Sequence, residues 1–397
     1  MLRNTLNILL LCFEYPPIGG GGGVGAQQYA EAWVSAGHQV TVVTSRAYGL
    51  SGREVVNGVN IIRVYTVERE DRATSNFLAM LCYNITALTH FLLHYRDFKR
   101  FHVINTHFSI PTGPVAAIIA KLCGRPNVLT IIGGDIYDPS KNSSPHRSPI
   151  MRVINRWIIN RADRVIAISS DTRQRAEHFY KVRRTIEVIN YGFTPARDRN
   201  PSAAQTLEPG KFYLISIGRL IRRKGFEYLI RAMKSLPQDI VLLLIGDGPL
   251  ECELKSLADK EGVAERVRML GFLTREQIHV YLRRADCFVL PSLHEGLGIV
   301  VQEAMDAGLP VVVTDNGGQV DLIKYPRNGI LVATGDVDAL AKGIQRLYTD
   351  RILGKSMGDN NQIDIQNLHI EKNCQLYLDV FKALTPSCAW EKSSEVA

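Results

Sequence analysis

A chain of 397 residues is too long for one ordinary hydrophobic core and points to two domains of about 150–200 residues each. Hydrophobic content of 46% and charged content of 22% are those of a soluble globular protein. The formal charge of +8 comes without an arginine–lysine block or an aromatic–basic repeat, which argues against nucleic acid and leaves basic pockets for anionic substrates, or an anionic membrane surface, to account for it.

In chain order, strand-like apolar runs fall at 7–13, 39–44, 59–64, 103–106, 127–132, 164–168 and 186–189. After a gap they resume at 213–217, 240–245, 267–270, 287–290 and 311–314. Many are continuous rather than alternating, as in a parallel sheet covered on both faces. Helical patterns at 25–36, 149–161, 226–235, 250–261, 276–284 and about 362–382 lie between or after them. Strand–helix alternation carried out twice predicts two doubly wound α/β domains. The gap, 195–210, is rich in Pro, Ala and polar residues and reads as a linker, while 385–397 reads as a frayed tail. Two such domains would form a cleft, a preferred place for a ligand.

The N-terminal apolar run, 8–13, is too short for a secretion signal, and no stretch reaches the roughly 20 apolar residues that span a bilayer. A cytoplasmic location is expected, with or without peripheral contact at the inner face of the membrane. The seven cysteines show no CxxC pair and read as small core residues of a reducing compartment. His90 and His94 have the spacing of a metal pair, but no third ligand is evident, so no metal is expected.

The glycine run 19–25 contains a formal GxGxxG, yet five residues separate it from the first strand and no acidic residue closes the second. It reads as a flexible loop whose backbone N–H groups, those of Gly22 and Gly23 among them, approach a ligand; a mobile surface loop is the alternative. The strand 213–217 runs into GRLIRRKG, where Arg219 can grip phosphate oxygens with its planar fork and Lys224 can add a point charge. Arg222 and Arg223 read as a solvated basic turn. Gly246-Asp247-Gly248-Pro249 supplies a tight turn after the next strand, and Asn316-Gly317-Gly318 offers backbone donors after the last. Between them, PSLHEGLGIVVQEAMDAGLPVVVT sets Glu295 and Glu303 across a loop-to-helix junction. Carboxylates, cations and glycines at the carboxyl ends of parallel strands suit a ligand rich in hydroxyls and phosphates.

Together, GRLIRRKG, LLLIGDGPL, LGFL and PSLHEGLGIVVQEAMDAGLPVVVTDNGG resemble the second domain of family 4 of the glycosyltransferases, retaining enzymes of the two-Rossmann-domain GT-B fold with an E-x7-E pair. YPPIGGGGGVGAQQYAEAWVSAGHQVTVVT, NTHF and ADRVIAIS resemble its first domain, and the likeness covers about residues 6–380. The resemblance implies an α/β GT-B fold in which 1–194 form an acceptor-side domain and 211–360 a nucleotide-sugar-binding domain, with a C-terminal helix, 361–384, crossing back to the first. It implies Glu303 on the ribose hydroxyls, Glu295 on the hydroxyls of the transferred sugar, and Arg219 and Lys224 on the diphosphate, neutralising the leaving group. Backbone N–H groups of Gly298 and Ile299 at a helix N-terminus, with the turn glycines Gly218 and Gly246, would complete the donor site. Side-chain cations would stand in for a metal, so neither metal nor cofactor is implied. The implied donor is a nucleoside-diphosphate sugar, a UDP-sugar on family frequency. The implied acceptor is a hydroxyl on a glycan or a lipid-linked molecule, in glycan, glycolipid or cell-envelope polysaccharide synthesis.

The family often carries a histidine just before the first glycine of VLTIIGGD, where this chain has Ile132. That leaves Asp135 and His107 as the polar first-domain candidates for catalysis, with a buried core role as the alternative for His107. The family's NGVD-like turn reads NYGFT at 190–194, and the acidic residue after the glycine pair is present as Asp321. Ile132 supports a second reading, a nucleotide-sugar-binding protein without transfer activity; an NAD-dependent oxidoreductase would rest on the glycine run alone. The segment 72–101, apolar with Arg96, Lys99 and Arg100 at its end, reads either as a helix packed on the first sheet or as one lying on an anionic surface.

Overall fold

The computed structural model describes residues 5–67, 77–195 and 207–385. Most of the expected linker (196–206), the tail from 386 onward and residues 72–76 of the apolar segment lie outside them. The chain divides into two compact units, the first comprising Met1–Asp138, Ser143–Gly192 and Ile370–Ala397, the second Pro139–Asn142 and Phe193–His369.

Unit 1 is built from β1 (Asn7–Cys12), α1 (Gly21–Ser35), β2 (Gln39–Ser45), β3 (Arg53–Val56), β4 (Val59–Val64), α2 (Phe77–Leu93), α3 (Tyr95–Phe98), β5 (Val103–His107), α4 (Gly113–Cys123), β6 (Asn127–Ile131), α5 (Pro149–Arg161), β7 (Arg164–Ala167), α6 (Ser170–Tyr180) and β8 (Ile186–Val188). Its sheet runs β3-β4-β2-β1-β5-β6-β7-β8, and only the edge pair β3–β4 is antiparallel. The central strands are apolar throughout because both faces are covered: Leu9 and Leu11 pack with Tyr83 and Phe91 of α2 and Ala116 and Ile119 of α4. α5 starts on a Ser148 side chain that accepts from the Met151 N–H, with Pro149 at its first position.

Unit 2 contains β9 (Phe212–Ile217), α7 (Phe226–Ala232), β10 (Ile240–Ile245), α8 (Glu251–Lys260), β11 (Val267–Gly271), α9 (Arg275–Leu282), β12 (Cys287–Leu290), α10 (Ile299–Asp306), β13 (Val311–Thr314), β14 (Gly329–Val332), α11 (Val337–Thr349) and α12 (Arg351–Ile365). Its sheet is wholly parallel, in the order β11-β10-β9-β12-β13-β14. The order reverses beside β9, so the loops after β9 and β12 are where an open α/β sheet places its ligand. The last helix, α13 (Ile370–Leu384), belongs to unit 1, where Tyr377 and Phe381 pack against Tyr29 and Trp33 of α1.

Two expectations are corrected. The helix after the glycine run begins at Gly21, not at 25, so Gly22 and Gly23 lie in its first turn and not in a flexible loop. The lack of side chains serves packing there: a Cβ on Gly23 would come within 2.8 Å of the Glu14 carbonyl oxygen, and one on Gly22 within 2.8 Å of the Phe108 ring. The single helix expected at about 362–382 is broken instead. α12 passes into a 3-10 turn, Gln366–Leu368, and the Phe193 N–H donates to the Leu368 carbonyl at 2.7 Å, pulling the chain into a bridge between Phe193 and His369 before α13 begins.

Candidate active site

At one edge of unit 2 the loops after β9, β10, β12 and β13 hold one another in place. The Gly246 backbone, at φ 135°, comes so close to the Gly218 carbonyl that a Cβ there would sit 2.0 Å from its oxygen. This locks the turn after β10 onto the loop after β9. The Leu293 N–H donates to the Arg223 carbonyl at 2.8 Å, tying the 218–225 loop to the segment bearing Glu295. From the other side, the Gly318 N–H donates to the Glu295 carbonyl at 2.8 Å and the Asn316 side chain to the Leu293 carbonyl at 2.7 Å. A further bond runs from the Thr314 hydroxyl to the Ser292 carbonyl. The Glu295 backbone is thus positioned by both flanking loops.

The Glu295 side chain is paired. The Lys224 ammonium lies 2.6 Å from Oε1, with the two side chains 12% and 8% exposed, and the Ser292 hydroxyl donates to the same oxygen at 2.7 Å. Burial alone would raise this carboxyl. The charges of Lys224 and Arg223 and the two hydrogen bonds outweigh it and bring the group down to about 2, so it is a carboxylate across the physiological range. Arg223 was expected to be solvated like Arg222. Arg222 does pair at the surface with Glu253 at 2.9 Å, but Arg223 is half-buried and acts on Glu295.

Glu303 is the fifth residue of α10, whose start is capped by Gly298 in a left-handed conformation (φ 87°) followed by Ile299. Its Oε1 lies 3.2 Å from Arg275 Nε. Burial raises the Glu303 carboxyl, and Arg275 partly offsets the rise. Arg275 also donates to the Thr194 carbonyl and stands 5.8 Å over the Phe193 ring. The sequence reading missed Arg275. Thr274 and Gln277 form a capping box that marks the start of α9 and fixes Arg275 at its first helical position, but this pattern gives no sign of the contact with Glu303. Arg219 is half-buried directly after Gly218, at the carboxyl end of β9.

In unit 1 the two polar candidates are inside the fold. His107, at the end of β5, is fully buried, with Nδ1 2.8 Å from Asn105 Oδ1 and no partner for Nε2 among the described residues. Burial drives its imidazole down to about 3, so it is neutral. Asp135 is 6% exposed; it accepts from the N–H groups of Ser109 at 2.6 Å and of Ile132 and Gly133 at 3.0 Å each. Burial raises it to about 6 against those bonds. Asp135 thus holds the loop after β6, and His107 lies with its ring stacked 6.1 Å from that of Tyr191. Among the described residues no group of three or more His, Cys, Asp or Glu is placed to hold a metal ion.

Comparisons with known proteins bear on the family and the fold. Residues 198–364 match the family model described as glycosyl transferases group 1, and residues 20–192 match the glycosyl transferase 4-like domain. An uncharacterized glycosyltransferase of Methanocaldococcus jannaschii is 30% identical over 365 residues, which is 87% of this chain and 90% of that one. Among solved structures, sucrose-phosphate synthase from Thermosynechococcus elongatus superposes with a TM-score of 0.83 at 24% identity, covering 95% of this chain and 100% of that one. Anabaena HepE, solved in complex with UDP and glucose, gives a TM-score of 0.74 at 21% identity, covering 96% and 100%. With two parallel-sheet units and these neighbours, the chain belongs to the group 1 glycosyltransferases, with a family-4-like first domain and the GT-B fold.

Proposed function

We propose that the protein is a metal-independent retaining hexosyltransferase that moves a sugar from a UDP-sugar to a hydroxyl of a glycan or lipid-linked acceptor. The observation that carries this reading is the Lys224–Glu295 pair beside Arg219, at the strand ends of unit 2. An ammonium has three N–H donors; one goes to Glu295 Oε1, and two remain for diphosphate oxygens. Arg219 adds a bidentate fork, so side-chain cations neutralise the charge that develops as the sugar–phosphate bond breaks. The hydrogen bonds that Lys224 and Ser292 donate to Glu295 both end on Oε1, which leaves Oε2 to accept from a sugar hydroxyl. Glu303 holds the ribose, and the N–H groups of Gly298 and Ile299, with Gly218 and Gly246, line the phosphate path. As the bond from the anomeric carbon to the phosphate oxygen breaks, the acceptor oxygen bonds the same face. The acceptor proton passes to the departing phosphate. HepE's complex with UDP and glucose supports the choice of donor.

The test is turnover of a panel of UDP-, GDP- and ADP-sugars with hydroxyl acceptors, reading the product anomer by NMR, with and without EDTA. Retained configuration, undiminished by EDTA, is expected; an inverted product or loss in EDTA overturns the mechanism. Ile132 and the buried His107 favour a second reading, a nucleotide-sugar binder without transfer. It predicts a raised melting temperature with donor and no release of nucleotide.

A further inference from the structure

We infer that the outer face of α2, α4 and α5 is a docking surface for an anionic lipid bilayer. The three helices lie side by side on one face of the unit 1 sheet. Their inner residues are buried, but several of their outer residues are aliphatic or aromatic where a solvated helix would be polar. Leu78, Leu81 and Ile85 follow one stripe of α2, Leu122 lies on α4, and Val153 and Trp157 on α5, each at least 42% exposed. Charge gives the partner. Residues 77–161 hold ten Lys or Arg against three Asp or Glu, so +7 of the chain's net +8 falls in this stretch. Two of the three acids, Asp135 and Asp138, are buried. Arg96, Lys99 and Arg100 follow α2, Lys121 lies on α4, and Arg152 and Arg161 on α5, all exposed beside the apolar residues.

Apolar side chains among cations, with almost no exposed acid, match the boundary between acyl chains and acidic headgroups. A second copy would bring the same positive charge against it, and nucleic acid would leave the leucines against phosphate. At the C-terminal end of α2 a cavity of about 480 Å³ is lined by Arg53, His90 and His94 and by Leu93. It offers the Arg53 guanidinium next to an apolar wall, the two chemistries of one acidic lipid. Among the described residues no helix is long and apolar enough to cross a membrane, so the contact lies along the surface.

The test is co-sedimentation of the full chain with vesicles of phosphatidylcholine alone or mixed with phosphatidylglycerol, at low and high salt. Binding to the mixed vesicles that weakens with salt is expected, and at least about a tenfold loss for L81D/I85D and for K99E/R100E. The affected side chains are exposed, so unchanged melting temperatures show that the variants fold. Arg53→Ala is expected to reduce the preference for the acidic lipid. Equal binding to both vesicles, no binding, or variants that bind like the parent would overturn the inference. So would a concentration-dependent dimer of the parent that the same substitutions disperse, which would assign this face to a second copy.

Discussion

Lys224 and Glu295 form an ion pair of 2.6 Å with 12% and 8% of their side chains exposed, in a loop junction tied together by five further hydrogen bonds. Such a pair gains little net stability over apolar residues of the same volume, because desolvation offsets the attraction. Removing one partner is different. Lys224→Met leaves a buried carboxylate facing only Arg223 and Ser292, and a loss of about 3–5 kcal/mol is expected. The double variant K224M/E295Q should recover most of that loss while transfer stays at least about a hundredfold down, because the phosphate cation is still missing. Chemical unfolding and kcat on the same preparations separate the two effects. Restored activity in the double variant would show that the pair is structural only.

The same pair sets an acid-side limit. The folded Glu295 carboxyl at about 2 lies below its ordinary 4.5. Its contribution to stability is therefore present above about pH 4.5 and is lost as pH falls through about 2. The unfolding free energy of the double variant should fall less steeply than the parent's between those values.

Glu303 and Arg275 predict a split in kinetics. A carboxylate that grips the ribose does so equally in the ground and transition states, so Glu303→Ala should raise the donor KM by roughly 10–100-fold with a smaller change in kcat. Arg275→Ala acts through Glu303. Burial already raises that carboxyl and Arg275 opposes the rise, so its removal should leave Glu303 partly protonated in mildly acidic buffer. The donor KM of Arg275→Ala is expected to worsen more between pH 8 and pH 6 than the parent's does. A flat profile in the variant would remove Glu303 from donor binding.

All twelve strands expected from apolar runs are present to within a residue at each end, because a strand buried on both faces, such as Ile240–Ile245, is apolar at every position. The strands that went unread lack that mark. β3 is an exposed edge strand, legible only through Asn57-Gly58, whose φ values of 49° and 79° make the tight hairpin turn. β14 is only four residues long, and one of them, Gly329, is a glycine. In the candidate site, Arg219 and Lys224 stand out as charges in the loop after an apolar strand, and Glu295 and Glu303 as carboxylates around a loop-to-helix junction. Arg275 was not, since its partner is 28 residues away and only packing brings them together. For His107 the NTHF segment shows a histidine at a strand end but not its complete burial or its stacking on Tyr191, which only the fold reveals.

The glycine run makes a graded prediction. A methyl on Gly23 meets the backbone oxygen of Glu14 at 2.8 Å, and one on Gly25 meets the buried Tyr191 ring at 2.5 Å, whereas one on Gly20 has nothing within 4 Å. Gly23→Ala and Gly25→Ala should each cost about 1–3 kcal/mol. Gly20→Ala, at the helix cap, should cost less than about 1 kcal/mol. Equal tolerance at all three positions, measured by thermal unfolding, would return the run to a loop.

His107 gives the sharpest pH test. Its folded imidazole, at about 3, lies below the ordinary 6.5, so between those values the unfolded chain binds the extra proton. Stability from this group is fully present above about pH 6.5 and is lost as pH falls toward 3, by on the order of 4 kcal/mol. His107→Gln carries no such proton, and its unfolding free energy should change less between pH 7 and pH 4 than the parent's. A core role also leaves the reaction alone, so kcat in His107→Gln should fall by far less than the roughly hundredfold or more that a general acid or base contributes. A loss of about a hundredfold or more with an unchanged stability profile would mean that the imidazole takes part in the reaction after all.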